Sequence, residues 1–269
     1  IYTGEGQDLG QFFAELAVGN GKIQKFSSNA TVTNGNDCYS LSGATYGVYS
    51  DKGCTKSVAT LATNANGNTD IVELRAATYY VKETKAPKGF QLDNNVYTMT
   101  VKAGETTTLK VSDTPKVTDT LVELFKIDME TSKATPQGNA SLEGAEFVWK
   151  YYDGYYTKDN LPSEPTRTWT TKTIAEKDSN NEVHYITRLA DSYKVSGDSF
   201  YTQNGTICLP LGTITVEEKA APNGYLLEGA YMQAAGSSEQ IKGVYVAQIT
   251  EDGELAALSG SNQYSVSDK

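Results

Sequence analysis

The strongest constraint on this chain is a cassette that it carries twice, as VKETKAPKGF at Val81–Phe90 and as VEEKAAPNGY at Val216–Tyr225. In each copy a glutamate is followed by two residues, Ala-Pro, one residue, Gly and an aromatic, so Glu83 and Glu218 hold matching positions. The flanks repeat as well. Lys25 stands 18 residues before Gly43-Ala44, and Lys126 stands 18 residues before Gly144-Ala145. Each half closes on Val-Ser-Asp, at Asp113 and at Asp268. Lysine, glutamate and aspartate recur in one order, the mark of two copies of a supersecondary unit whose period is far too long for a solenoid.

Side chains alternate across a strand, so residues two apart share a face. On that rule Glu83 shares the face of Tyr79 and Val81, and Glu218 that of Ile214 and Val216. Asp113 continues the face of Leu109 and Val111, and Asp268 that of Tyr264 and Val266. Lys126 is ambiguous, with Val122 and Leu124 on its own face but Phe125 and Ile127 on the other. Burying an ionised carboxylate or ammonium costs several kcal/mol, so buried ones are paired or neutral. Two readings stay open. The charged residues are solvated or salt-bridged strand ends, or they form a self-made amide. In the second reading, desolvation leaves a neutral amine beside a protonated acid. The amine attacks the aspartate carbonyl while the glutamate polarises it and carries protons.

These residues resemble the Cna B-type (prealbumin-like) domains of Gram-positive surface proteins and SpaA-like pilins. The resemblance rests on the early lysine, the Gly-Ala-x-aromatic strand, the E-x-x-A-P-x-G-aromatic box and the terminal Ser-Asp, over residues 20–114 and 119–269. It implies an all-β chain of two tandem Ig-like sandwiches, each of seven strands, in which a lysine of the first strand bonds an Asn or Asp of the last with a glutamate as catalyst. Carried over, that gives isopeptide crosslinks Lys25–Asp113, with Glu83 as proton shuttle, and Lys126–Asp268, with Glu218. Both acceptors are Asp rather than the commoner Asn, so water would leave instead of ammonia.

Length and composition fit that class. A chain of 269 residues holds one or two domains, each able to bury a core. Frequent Thr, Val and Tyr favour strands. A formal charge of −10 repels phosphate and argues against nucleic acid or an anionic membrane as partner. No apolar run reaches bilayer-spanning length and no signal peptide is visible. The expectation is therefore an extracellular fragment, anchored to the cell wall through regions outside it. Residues 1–19 read as an N-terminal segment with Leu9, Phe12, Phe13 and Leu16 at helical spacing, or as the tail of an upstream domain. The first sandwich covers 20–114, a linker 115–118, and a second, enlarged sandwich 119–269 with extra residues at about 150–205 and 228–260.

The first of these insertions is the natural place for individual binding, since loops on a rigid scaffold commonly carry it. Tyr151, Tyr152, Tyr155, Tyr156 and Trp169 are its candidate ligand contacts, for a host glycan or protein; packing on the sandwich is the competing reading. Cys38 and Cys54 bracket the GATYGVY strand and its turn, at a spacing that suits a hairpin disulfide, against two unpaired thiols. Cys208 in TICLPLG reads as a buried core thiol, and a Cys–Gln thioester lacks an identifiable partner. His184 has no Cys or carboxylate at ligand spacing, so no metal site is expected. LPLGT at Leu209–Thr213 has Gly and Thr in the wrong order for a sortase signal, NANGNTD lacks the acid spacing of a calcium loop, and no Tyr-Pro-Lys-Asn pilin motif occurs.

The function these observations favour is structural: a stalk segment of a Gram-positive adhesin or pilin-like protein. Its partners would be neighbouring domains of the same surface protein or pilus subunits. It would need no cofactor and would be no enzyme beyond one self-directed turnover. The alternative is a ligand-binding adhesin module that uses 150–205. A carboxylate-based hydrolase needs two acids facing a cleft, and these face a core.

Overall fold

The computed structural model describes residues 17–119, 122–251, 255–256 and 263–269, so the helical spacing expected around residues 9–16 lies outside the described residues. The chain divides into two compact units, one of residues up to Thr33 with Tyr39–Pro115, the other of Asn34–Cys38 with Lys116–Lys269.

The first unit is a sandwich of seven strands: β1 (Val18–Ser27), β2 (Thr45–Tyr49), β3 (Ser57–Ala62), β4 (Val72–Arg75), β5 (Ala77–Lys85), β6 (Val96–Val101) and β7 (Thr106–Asp113). They form a three-stranded sheet ordered β4-β1-β7 and a four-stranded sheet ordered β3-β2-β5-β6. Alternation sets the inner faces. In β5 the buried residues are Tyr79, Val81 and Glu83, and in β1 they include Ile23 and Lys25. Ile23, Ala44, Tyr46, Val48, Val81, Met99 and Val111 make up most of the core between the sheets. β1 and β7, first and last in sequence, lie side by side and parallel, with Lys25 opposite Val111 and Ser27 opposite Asp113.

The second unit repeats this plan on a larger scale. Its strands are β8 (Val117–Thr118), β9 (Glu123–Asp128), β10 (Glu146–Tyr152), β11 (Arg167–Lys172), β12 (Ile174–Lys177), β13 (Val183–Thr187) and β14 (Lys194–Gly197). There follow β15 (Tyr201–Gln203), β16 (Thr206–Pro210), β17 (Gly212–Ala220), β18 (Tyr231–Ala234), β19 (Ile241–Lys242), β20 (Tyr245–Ile249), β21 (Leu255–Ala256) and β22 (Gln263–Asp268). The sheets run β14-β11-β10-β17-β20-β21 and β12-β13-β9-β22-β18-β19, with a small third sheet β15-β16-β8. β9 and β22 are again parallel, with Lys126 opposite Val266 and Asp128 opposite Asp268. The face of Lys126, ambiguous in the sequence, is the buried one, shared with Leu124 and Asp128. Val117–Thr118, expected within a linker, pairs as β8 with Pro210 and Leu209 of β16.

The repeated box ends β5 and β17 in the same way. After Ala-Pro the backbone closes a turn, Phe90 N–H to Pro87 C=O and Tyr225 N–H to Pro222 C=O. Gly89 (φ 82°) and Gly224 (φ 89°) take the left-handed conformation there. A Cβ at Gly224 would also stand 2.7 Å from that of Ala140.

The insertion is scaffold rather than display. β11 and β13 take the places of β3 and β4, β14 and β12 extend the two sheets beyond them, and Trp169 and Tyr151 are fully buried, with Tyr152 at 4% exposure. Tyr151 donates its hydroxyl to the Leu211 carbonyl at 2.7 Å, and Tyr152, on the other face, packs edge-on against the Tyr156 ring. Three of the five candidate ligand contacts are therefore core residues, leaving Tyr155 exposed and Tyr156 half-buried.

The disulfide expected between Cys38 and Cys54 is not formed. Cys54 sits in the turn after β2 with φ 55°, held there by Asp51, whereas Cys38 is buried with its thiol at the Tyr155 hydroxyl. Cys208 is buried, as expected. The β12–β13 hairpin corrects the reading of His184. It brings Asp178 and Glu182 to the imidazole, with Asp178 Oδ2 at 3.2 Å from Nε2, although neither was recognised at ligand spacing in the sequence. Asp178 Oδ1 accepts the N–H groups of Asn180 and Glu182, so the cluster closes the hairpin turn. Thiol accessibility follows directly. Alkylation of the native, unreduced protein should label Cys54 first, with Cys38 and Cys208 reacting only after denaturation; labelling is read by peptide mass.

Candidate functional site: two buried Lys–Glu–Asp clusters

The structure brings together both sets of residues expected to react. In the first unit Lys25, Glu83 and Asp113 have fully buried side chains. Lys25 Nζ lies 2.8 Å from Glu83 Oε1 and in ion-pair contact with Asp113 Oδ2. In the second unit Lys126 Nζ lies 2.9 Å from Glu218 Oε2 and 2.5 Å from Asp268 Oδ1. The origin of each site is register. On parallel neighbours the aspartate stands two residues beyond the lysine's partner, on the same inward face. The glutamate comes from the facing sheet, on β5 or β17.

Burial dominates the electrostatics. Each aspartate carboxyl, of Asp113 and of Asp268, is in ion-pair contact with its lysine but has no well-aligned hydrogen bond. A buried carboxylate so poorly solvated is costly, and protonation relieves it. Desolvation accordingly pushes the Asp113 carboxyl up to about 6 against the pull of Lys25, with Glu83 raising it further. In the second unit desolvation pushes Glu218 up to about 8, against the attraction of Lys126, and its Oε1 lacks a hydrogen-bond partner.

The two sites differ in what surrounds the glutamate. Lys25 Nζ also donates to the Tyr46 hydroxyl at 2.7 Å, and Glu83 Oε2 accepts the Asp93 backbone N–H at 2.8 Å. Burial, then the charges of Glu83 and Asp113, hold the Tyr46 hydroxyl far above the usual phenol range, so it stays protonated. Tyr46 faces Glu83 across the β2–β5 ladder, and Phe147 faces Glu218 at the matching place in β10–β17. A cavity of about 170 Å³ lined by Glu218, Leu227, Tyr231, Met232 and Val266 adjoins the second glutamate. One of about 280 Å³ lined by Asp93, Tyr97, Ser112 and Asp113 adjoins the first acceptor.

Three further contributors escaped the sequence reading. Tyr46 was visible only as the aromatic of the Gly-Ala-x-aromatic strand, where Tyr and Phe count alike. Thr63 and Thr173 fix the Gly-Ala loops identically, each accepting the alanine N–H on its hydroxyl at 3.0 Å and donating to Leu41 or Leu142. Their unequal spacing from the Gly-Ala pair hid the match. Asp128, opposite Asp268, is the third. Although burial pushes it up, hydrogen bonds from Thr131 N–H, the Gln137 amide and the Tyr225 hydroxyl hold it at about 2.

Residues 27–115 match the family model of the SpaA prealbumin-like fold domain. The first unit thus has the fold that this family model describes. The second shares its parallel terminal strands and its Lys–Glu–Asp register. No curated protein matches the chain in sequence. Among solved structures it is similar to the Bacillus anthracis TIE protein, at 23% identity and TM-score 0.49 over 94% of this chain and 34% of that one, so it spans about a third of that protein's length. It is also similar to a C-terminal fragment of the pilus adhesin SpaC from Lactobacillus rhamnosus GG, at 16% identity and TM-score 0.47, over 93% and 97% of the two chains. The shaft pilin SpaA of the same organism gives 17% identity and TM-score 0.31, over 94% and 98%.

Two outcomes test this electrostatic picture. With its carboxyl raised to about 8, Glu218 is neutral at pH 7, so Glu218→Gln should keep the second unit folded by circular dichroism while removing its proton carrier. The second outcome concerns pH. Glu218 titrates near 4.5 when unfolded and near 8 when folded, so the folded state binds the proton more tightly. That stabilisation is complete below about 4.5 and lost as pH rises through about 8. In Asp268→Ala, which has no acceptor, the urea midpoint of the second unit should be higher at pH 5 than at pH 9.

Proposed function

We propose that this chain is a structural stalk segment of a Gram-positive cell-surface adhesin or pilin-like protein. Each unit is closed by an autocatalytic amide, Lys25–Asp113 in the first and Lys126–Asp268 in the second. The observation that carries this reading is common to both units. A buried aspartate touches a fully buried lysine amine on the neighbouring parallel strand, with a glutamate within 3 Å of the same nitrogen. The SpaA-type match of residues 27–115 supports it. An ion-pair network for stability alone is a poor alternative, because buried charges often add less than apolar residues of the same volume.

The chemistry uses only the residues at hand. The neutral amine of Lys25 attacks Cγ of protonated Asp113, and the carbonyl electron pair moves onto oxygen. Glu83 takes a proton from the attacking nitrogen and returns it to the departing hydroxyl. The Cγ–O bond breaks, water leaves, and Glu83 regains its starting state. The polar cavity beside Asp113 gives that water a place to go. In the second unit Glu218 begins protonated: it gives its proton to the Asp268 carbonyl oxygen as the Lys126 amine attacks and takes one back from nitrogen, after which water leaves and Glu218 is again protonated. The product is neutral, which removes the cost of burying the lysine and the aspartate as ions.

The gain is both thermodynamic and mechanical. Joining residue 25 to 113 closes a loop whose unfolded-state entropy, by the arithmetic used for disulfides, contributes about 4–5 kcal/mol. Tension entering one terminal strand passes through the amide to the other and leaves the sandwich between them shut. A stalk so built sits outside the cell, in series with other domains of its surface protein or with pilus subunits. The burial of Tyr151, Tyr152 and Trp169 weighs against a ligand-binding role for the insertion.

Intact mass spectrometry decides the matter. The protein should weigh two waters less than its sequence, and Glu83→Ala or Glu218→Gln should each restore one water and lower the melting temperature of its own unit. A mass equal to the unmodified sequence would overturn the proposal.

A further inference from the structure

We propose that Tyr46 is a further catalytic group of the first site and that its absence from the second makes the first amide form faster. This rests on the amide reading above. The Tyr46 side chain is buried, and its hydroxyl lies 2.7 Å from Lys25 Nζ, the nitrogen that must attack. Glu83 lies near enough to act electrostatically on that hydroxyl, and Lys25 Nζ donates to both oxygens, so amine, phenol and acid form one cluster. Lys25 Nζ thus meets three oxygens: those of Glu83 and Tyr46, both in hydrogen bonds, and that of Asp113, in contact without one.

This arrangement has a consequence for the attack. With two N–H bonds committed to Glu83 and Tyr46, rotation about the Cε–Nζ bond is fixed, and the lone pair of the neutral amine is left to face Asp113. As the N–C bond forms, positive charge grows on nitrogen. A hydrogen bond to the Tyr46 oxygen strengthens as it does so, which lowers the barrier instead of merely binding the ground state. The phenol also offers a second path for the proton: nitrogen to Tyr46 oxygen, and Tyr46 proton to Glu83. Tyr46 ends as it began. It acts as a carrier and never as a phenolate base, since burial and the neighbouring carboxylates oppose its ionisation.

The second unit serves as an internal comparison. Phe147 stands opposite Glu218 as Tyr46 stands opposite Glu83, so the backbone scaffold is shared and only the hydroxyl is missing. Lys126 Nζ is then held by Glu218 at 2.9 Å without a phenol beside it, and Glu218 Oε1 has no hydrogen-bond partner.

The test follows both amides in one molecule. The full chain is made by cell-free translation, stopped in denaturant at intervals, digested with trypsin, and the Lys25–Asp113 and Lys126–Asp268 branched peptides are quantified by mass. In the parent chain the first should accumulate ahead of the second. Tyr46→Phe should slow the first by about fivefold to tenfold, the scale of one hydrogen bond gained in the transition state, and leave the second unchanged. Phe147→Tyr should speed the second, an effect that Tyr46 acting through packing alone would not produce. To separate chemistry from folding, Tyr46→Phe is also placed in a Glu83→Ala chain, where the melting temperature of the unlinked first unit should shift little compared with the effect on rate. Equal rates for Tyr46→Phe and the parent, or a faster first amide in the variant, would overturn the role of Tyr46. Absence of both branched peptides from the parent chain would instead overturn the amide reading itself.

Discussion

Everything in each unit depends on the parallel pairing of its first and last strands. A sandwich could leave those strands on separate sheets or set them antiparallel; here β1 lies along β7 and β9 along β22, in the same register. Side-chain alternation does the rest. It points Lys25 and Asp113 into one core, and Lys126 and Asp268 into the other, with a glutamate arriving from the facing sheet. Four of these six groups would be poor choices for a core if they remained ionised. Their burial makes sense if charge is eliminated, which is what the proposed amides would do.

The lysine, glutamate and aspartate were legible in the sequence because they recur at matched positions in two copies of one pattern. The strand faces followed from period-two alternation, down to the inward placement of Glu83 and Asp113. What alternation could not supply was anything that depends on partners distant in sequence. The inward face of Lys126 was ambiguous because both faces of β9 carry apolar residues, and its choice is made by β22 and β13 alongside. The aromatic run of the insertion looked like a contact surface because YYDGYY has no burial pattern of its own. Its first two tyrosines are core only because β10 is flanked by β11 and β17. The cysteines misled for a related reason. Closeness in sequence suggested a staple, while the turn held by Asp51 leaves Cys54 outside the core that encloses Cys38.

The two sites are alike in scaffold and unlike in surroundings. In the first, a phenol and a backbone N–H both attend Glu83, and the raised carboxyl is the acceptor Asp113. In the second, an aromatic ring without a hydroxyl faces Glu218, and the glutamate itself is the raised group. Repeats of one domain need not share one reactivity, even where their reacting residues are identical.

The position of Lys25 and Lys126 near the ends of β1 and β9 has a consequence for how such a unit can change over time. With the proposed amides in place, a pull along the chain travels up the first strand, crosses at the lysine and leaves by the aspartate, so the residues between them bear none of it. That intervening stretch is free to lengthen, shorten or acquire new strands without weakening the line of force. The second unit is an instance of this freedom: β11 and β13 take the places of β3 and β4, while β12, β14, β15 and β16 are additional, and the register of β9 on β22 stays that of β1 on β7. A domain closed in this way separates the part that must hold from the part that can diversify.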